Sequence, residues 1–525
     1  MSSQQWSRLS IALVFACIVA YAAAAPASTR PFESDSWATA ENVVDIRVEA
    51  TLKQHGAHLR NPCSDEVFIR RIYLDMIGTL PEPAEVETFL ADQSPTKRAN
   101  MIETLFARDE FADYWAMKWC DVLRVKSEFP MNLWPNAAQA YHHWIRAALR
   151  DNQPYDQFAR ALLTSSGSNF REPQVNFYRA LSTKDPAAIA RGVALTFMGA
   201  RAEKWTPEHQ ADMTAFFSRV AYKKTDEWKE EIVYVKPEPV TPLQAVLPDG
   251  TGVTISEESD PRQVFADWLI TPRNPWFSRN IVNRIWCWTM GHGIIHEADD
   301  IRADNPPASP ETLACLENEL VKSHYDLHSI YRLIFNSRSY QQSALPDNDT
   351  ADPAVLFAHY TIRRLDAEVL QDALCWIGGA GVGYTSATPE PYTFIPKENR
   401  TITLADGSIT SAFLATFGRP ARDSGLLSER DNRATDSQRL YLLNASEMQR
   451  MITRSPRLHE LITSSMKNHP TLIRNLYLTI LSRTPTADEV ASAEQYFKNS
   501  AQPTGPSAND LAWALVNSKE FLYRH

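Results

Sequence analysis

"IRRIYLDMIGTLPEPAEV", residues 69–86, decides the fold, because the chain uses it twice. At an offset of 404 residues, "IRNLYLTILSRTPTADEV" (473–490) aligns on it without a gap and matches at seven of eighteen positions: Ile69, Arg70, Tyr73, Leu74, Pro81, Glu85 and Val86. In each copy apolar residues recur at helical spacing, a proline breaks the run, and a glutamate precedes the next apolar stretch. Each copy is followed by a similar segment, "LFARDEF" (105–111) and "LVNSKEF" (515–521), which is read as a third helix. The pattern predicts one unit of two helices, a proline turn and a further helix at both ends of the chain. Two copies are too few for a solenoid, so they read as packing modules expected to meet as a pseudo-symmetric pair.

Helix signals continue between the copies. Ser94-Pro95, Thr206-Pro207-Glu208, Asp260-Pro261 and Ser309-Pro310-Glu311 each place a capping side chain before a first-turn proline. Leu365, Val369, Leu370, Ala373, Leu374 and Ile377 hold helical spacing until Gly378 and Gly379 close the run. Two stretches read as β. One is 230–255, broken by prolines, with an Asp249-Gly250 turn; the other is "NRTITLADGSITSAF" (399–413), a hairpin around Asp406-Gly407. The expected fold is mainly α, in two helical lobes, with small β insertions at about 230–255 and 392–413. The expected divisions are 1–25, 36–227, 228–257 and 258–525.

The first of these is a secretory signal. "MSSQQWSR" carries one arginine, "LSIALVFACIVAYAAAA" is apolar or small throughout, and alanines end it. Cleavage near Ala24 or Ala25 is expected, which makes the protein exported, periplasmic or extracellular. The alternative is an N-terminal anchor left uncleaved. No later stretch is apolar enough to span a bilayer. The formal net charge is −10, and removing residues 1–25 with their single charge, Arg8, gives −10 − 1 = −11. That acidity, with no basic tail, argues against nucleic acid as a partner. Five cysteines remain after Cys17: Cys63, Cys120, Cys287, Cys315 and Cys375. They are widely spaced and include no C-x-x-C, so buried free thiols are expected rather than a disulfide framework or a zinc ribbon.

Three polar constellations stand out. His292 and His296 have the i, i+4 spacing of a helical metal pair, but Gly291 and Gly293 flank the first of them. Two glycines in three residues end a helix, so the histidines are expected on a turn after Met290, and no metal or other cofactor is expected. "DDIRADNPP" (299–307) sets Asp299 and Asp300 beside Arg302, Asp304 and Asn305. It reads either as a loop brace or as a polar ligand site. "FGRPARDSGLLSERDNRATDSQR" (417–439) holds Arg419, Arg422, Glu429, Arg430 and Arg433. Guanidinium forks suit carboxylate and sulfate groups, which makes these arginines, with Arg302 and Asn305, candidate ligand contacts for an acidic glycan. Asp299, Asp300 and Glu429 are the candidate acid/base carboxylates if the chain is a hydrolase.

"FIRRIYLDMIGTLPEPAEVETFLAD", "YWAMKWCDVLRVKS", "NQPYDQFARALLTSSGS" and "FMGAR" resemble the first domain of an exported bacterial family. "NPWFSRNIVNRIWCWTMGHGII", "DDIRADNPPASPETL", "LIFNSRSYQQS", "RRLDAEVLQDAL", "TFGRPARDSG", "LYLLN" and "ALVNSKEFLYRH" resemble its second. This is the planctomycete-type, cytochrome-associated pair of domains of unknown function 1549 and 1553. Many such relatives continue the "FMGAR" segment into a C-x-x-C-H stretch. Here the chain runs "FMGARAEKWTPEHQADM" (197–213), with no cysteine for a thioether link, so covalent haem is not expected. The resemblance implies an accessory or binding protein in extracytoplasmic polysaccharide processing, whose partner is another exported protein or an acidic polysaccharide. A hydrolase, or a non-haem partner of a separate cytochrome c, are the alternatives.

Overall fold

The computed structural model describes residues 31–237, 242–345, 356–388, 393, 395–396 and 398–525. The secretory pattern at 1–25 lies outside them. Helices dominate, and the sheets are small, of two or three strands each. No helix among the described residues is long and apolar enough to cross a membrane.

Both repeat copies fold alike. The first contains helices Asp65–Met76 and Pro83–Ala91, the second His469–Leu481 and Ala487–Asn499. After the first helix of each pair the backbone turns left-handed at equivalent positions, Gly78 and Ser482, both with φ of 59°. The second helix then opens with the repeated glutamate folded back. Glu85 accepts the Glu82 N–H at 2.8 Å, and Glu489 accepts the Thr486 N–H at 2.8 Å.

The shared tyrosine and glutamates line an arginine clamp. Arg108 bonds Glu85 at 3.0 Å and Glu110 at 2.7 Å and lies 5.6 Å above the Tyr73 ring. Arg483 bonds Glu489 at 2.8 Å and Glu520 at 2.5 Å and lies 5.3 Å above Tyr477. The arginine reaches the two clamps from different points in the chain, so the repeat preserves the clamp's walls but not its cation. The copies also meet, as the sequence predicts. Arg70 donates to the Ile480 carbonyl at 3.0 Å, while its equivalent, Arg474, pairs with Glu87 at 2.6 Å. The third helix differs from its expected place. "LFARDEF" and "LVNSKEF" span a break between Lys97–Phe106 and Asp109–Val122, and between Thr504–Val516 and Lys519–Leu522. In the second copy Ser518 starts the new helix by accepting the Phe521 N–H at 3.1 Å.

The two helical halves share one continuous apolar core, from Val44 to Phe521. Rings pack across the junction: the ring centres of Trp115 and Tyr331 lie 4.3 Å apart with the rings tilted, and Tyr155 stacks on Phe277 at 4.8 Å. Between the halves, strand Glu231–Val235 pairs antiparallel with Val220–Lys224 on one side and Gly167–Ser168 on the other. Strands Leu243–Val246 and Gly252–Ile255 form a hairpin closed by Asp249 and Gly250.

The β reading of 392–413 needs correction over 398–413; residues 392, 394 and 397 lie outside the described residues. Thr401–Thr403 is a turn of 3-10 helix and Ala412–Thr416 is a short α-helix. Side chains take the hydrogen bonds a hairpin would need. The Asp372 carboxylate accepts the N–H groups of Thr401 and Ile402 at 2.6 and 3.2 Å. Asp406 accepts those of Ser127 and Ser408, both at 2.9 Å, which ties the segment to the N-terminal half.

Candidate functional site

Four buried carboxylates mark the meeting of the halves. Asp75 and Asp121 come from helices Asp65–Met76 and Asp109–Val122, while Asp366 and Glu368 stand at the start of helix Ala367–Gly378. Six cations link them into one chain of contacts. Arg363 and Arg524 reach Asp75 at 3.1 and 3.0 Å, and Arg524 continues to Asp366 at 3.0 Å. Lys118 meets Asp366 at 2.8 Å. Arg430 bridges Glu368 and Asp121, at 2.6 Å to each. Arg419 adds a second contact to Glu368 at 3.1 Å, and Arg422 one to Asp121 at 2.9 Å.

Two cations are thereby in excess, and dipoles answer them. Arg422 donates to the Ala405 carbonyl at 2.8 Å, Arg363 to that of Thr289 at 2.6 Å, and Arg419 to those of Ile409 and Asp406. Tyr340 and Tyr360 donate their hydroxyls to Asp75 at 2.9 and 2.7 Å.

The loop carrying three of these arginines folds tightly on itself. Gly418 has φ of 77°, and a Cβ there would lie 1.8 Å from the Asp431 carbonyl oxygen. That approach brings Arg419 and Arg430 to the same carboxylate.

Burial works against the ions at Asp366, Glu368 and Lys118, and pairing prevails for the two carboxylates. It disfavours the Asp366 carboxylate, yet Lys118, Arg524 and Arg430 hold that carboxyl well below its ordinary range. Glu368 likewise drops to about 2 against its burial, through Arg430 and then Arg419. Lys118 goes the other way: burial pulls its ammonium down to about 8 despite Asp366. These groups form a rivet of fixed charges between the halves.

The residues singled out in the sequence divide between this rivet and its surroundings. Arg419, Arg422 and Arg430 belong to it, spent on internal carboxylates. Arg433 is exposed and pairs with its neighbour Asp431 at 2.7 Å. Glu429 folds back on its own loop, accepting the Asp423 and Ser424 N–H groups at 2.9 and 3.0 Å. Burial raises its carboxyl less than those donors lower it, so it sits below the ordinary glutamate value.

The "DDIRADNPP" segment meets this loop at one point, where Asp299 accepts the Leu427 N–H at 2.6 Å. Asp299 is otherwise held by the fully buried Arg284 at 2.9 Å. Asp300 faces Lys204 at 2.7 Å and Arg302 at 3.3 Å. Arg302 also pairs with Asp304 at 2.9 Å, and Asn305 donates to the Asp300 carbonyl at 2.9 Å.

The histidines sit where the glycines put them. Helix Phe277–Met290 ends on Gly291 with φ of 97°, and the two rings stand 6.1 Å apart at 89° to each other. His292 stacks instead on Phe357 at 4.7 Å. Among the described residues no three His, Cys, Asp or Glu side chains converge as a metal cage, and all five described cysteines are free.

The sequence reading missed Asp75, Lys118, Asp121, Asp366 and Glu368, the acidic and lysine members of the rivet. One signal was available: "YLDMI" and "KWCDVL" each place a charge inside an otherwise apolar run, where a buried ion needs a partner.

Fold and rivet together define a mainly helical protein whose N- and C-terminal halves share one apolar core and a network of buried ions. Residues 43–224 match the family described as PSCyt2, protein of unknown function (DUF1549), and residues 261–497 match PSD1, protein of unknown function (DUF1553). The chain belongs to the family that pairs these two domains. The rivet joins them, since Lys118 and Asp121 lie in the first matched region and Asp366, Glu368 and Arg430 in the second. No curated protein and no solved structure matches the chain.

Proposed function

We propose that the protein acts outside the cytoplasm as a non-catalytic binding or accessory protein, in the processing of an acidic polysaccharide. The observation that carries this reading is the commitment of every candidate acid/base group to structural partners. A glycosidase general acid needs a carboxyl raised toward neutrality and open to substrate. Glu429 is instead held low by backbone donors, and Asp299 is locked between Arg284 and the Leu427 N–H. Of the arginines that suggested recognition of acidic groups, Arg419, Arg422 and Arg430 are consumed inside the protein, and Arg302 and Arg433 pair with the neighbouring Asp304 and Asp431, so ligand recognition falls to other groups at the surface.

The test is incubation of the purified protein with alginate and chondroitin sulfate. Retardation by either polymer in affinity electrophoresis, without release of new reducing ends, is expected. Release of reducing ends by wild type but not by Asp299→Asn or Glu429→Gln would establish the hydrolase instead.

A further inference from the structure

Phe129 and Trp228 are the two most exposed large apolar side chains among the described residues, at 81 % and 66 %. They stand on separate turns that meet. Trp134, on the turn with Phe129, packs edge-to-face on Trp228 with ring centres 6.3 Å apart. The Lys229 ammonium sits over both indoles, 5.0 Å from the Trp134 ring and 5.2 Å from that of Trp228.

Both turns are built rigidly. Trp134 and Lys229 adopt left-handed backbone with φ of 73° and 61°, which bulky residues hold only when their surroundings impose it. The Phe129 turn is closed by Asn132 N–H to the Glu128 carbonyl at 2.8 Å and Trp134 N–H to that of Ser127 at 3.1 Å. The Glu128 N–H is tied to the Ser408 hydroxyl at 3.0 Å. On the other turn the Glu230 carboxylate is anchored by Ser168 at 2.6 Å and Thr225 at 2.7 Å.

The surroundings identify the occupant. A protein-docking surface surrounds exposed rings with further apolar area, whereas these rings are bordered by charge. Lys223, Lys224 and Lys229 flank the Trp228 turn, and among the described residues no carboxylate pairs with any of them. Arg171 is spent only on Glu227 at 3.4 Å and Glu230 at 3.9 Å. Against these four cations stand two exposed carboxylates with no cation partner among the described residues, Asp226 on this turn and Glu128 beside Phe129, while Glu227 and Glu230 face Arg171. Rigid rings present flat apolar faces to the C–H surface of a pyranose, and unpaired ammoniums suit its carboxylate or sulfate.

We propose that Phe129, Trp228 and Lys229 form a stacking site for an anionic sugar residue, a uronate or a sulfated pyranose, within a polysaccharide. This assignment rests on the binding role proposed above and places it at one surface. The test uses the purified protein with alginate, chondroitin sulfate and neutral dextran, read by affinity electrophoresis and by quenching of tryptophan fluorescence. Trp228→Ala is expected to weaken binding of at least one anionic polymer about tenfold, and Phe129→Ala severalfold. Lys229→Gln is expected to weaken the anionic polymers while leaving any retention by dextran unchanged. Both rings are exposed, so the variants should keep the wild-type circular dichroism and unfolding midpoint. Anionic binding by wild type that survives in Trp228→Ala and Phe129→Ala would overturn the stacking site and leave the binding role standing. Failure of wild type to bind either anionic polymer would overturn both. Self-association of wild type that Trp228→Ala abolishes, with no change in glycan retention, would reassign the surface to a second copy of this chain.

Discussion

Arg430→Met probes whether the inter-domain charges are a structural rivet or a ligand site. Arg430 makes four hydrogen bonds, at 3.0 and 2.6 Å to Asp121 and at 2.6 and 3.1 Å to Glu368. Without it, Asp121 keeps only Arg422 and Glu368 keeps only Arg419, in surroundings where both carboxylates are nearly inaccessible. Removing one partner of a buried pair typically costs about 3–5 kcal/mol. Linkage gives a similar bound. Glu368 is held at about 2 against an ordinary 4.5, and that difference corresponds to about 3 kcal/mol at neutral pH, shared between Arg430 and Arg419.

The sign follows from the depressed value. This stability is fully present above pH 4.5 and is lost as pH falls toward 2, so the gap between wild type and variant should be largest near pH 7 and narrow steadily from about pH 4.5 down to pH 2. Urea unfolding followed by far-ultraviolet circular dichroism, at pH 7 and at about pH 3, measures it. A variant within about 1 kcal/mol of wild type at pH 7 that has lost retention by acidic polysaccharide would refute the rivet and make Arg430 a ligand contact.

Burial, then the charges of Arg422, His143 and Arg146, lowers the buried His142 to about 3, so the folded state excludes a proton that the unfolded chain accepts near pH 6.5. Its contribution is intact above that pH and falls by about 2 kcal/mol between pH 7 and pH 5; His142→Phe should flatten that part of the stability profile. Gly418→Ala should destabilise by about 3 kcal/mol or more, read as an unfolding midpoint, because its Cβ would collide with the Asp431 backbone at positive φ. Of the repeat clamps, Arg483→Ala should cost more than Arg108→Ala, by about 1–2 kcal/mol in urea unfolding. The Arg483 side chain is 4 % exposed and that of Arg108 is 30 %. Equal losses would show that burial does not set the clamp's contribution.

Much of the architecture was legible in the chain because it is set locally. The repeat at 69–86 and 473–490 fixes helix, proline turn and helix by spacing, and the Gly291–Gly293 pair fixes where a helix ends and puts His292 and His296 after it. Residues 399–413 misled because β-like alternation is weaker than two side-chain acceptors, Asp372 from helix Ala367–Gly378 and the segment's own Asp406, which reaches the Ser127 N–H of the N-terminal half. The arginines of 417–439 were visible as a cluster, but not their destination. An arginine fork is drawn equally to a ligand's carboxylate and to the protein's own, and only the fold brings Asp121 and Glu368 to it from 309 and 62 residues away. The sequence alone determined the repeated helix pairs, the helix end at Gly291 and the paired domains, since these depend on neighbours in the chain. Tertiary structure decided which charges are spent inside and which rings stand outside, because burial and charge pairing depend on residues far apart in sequence.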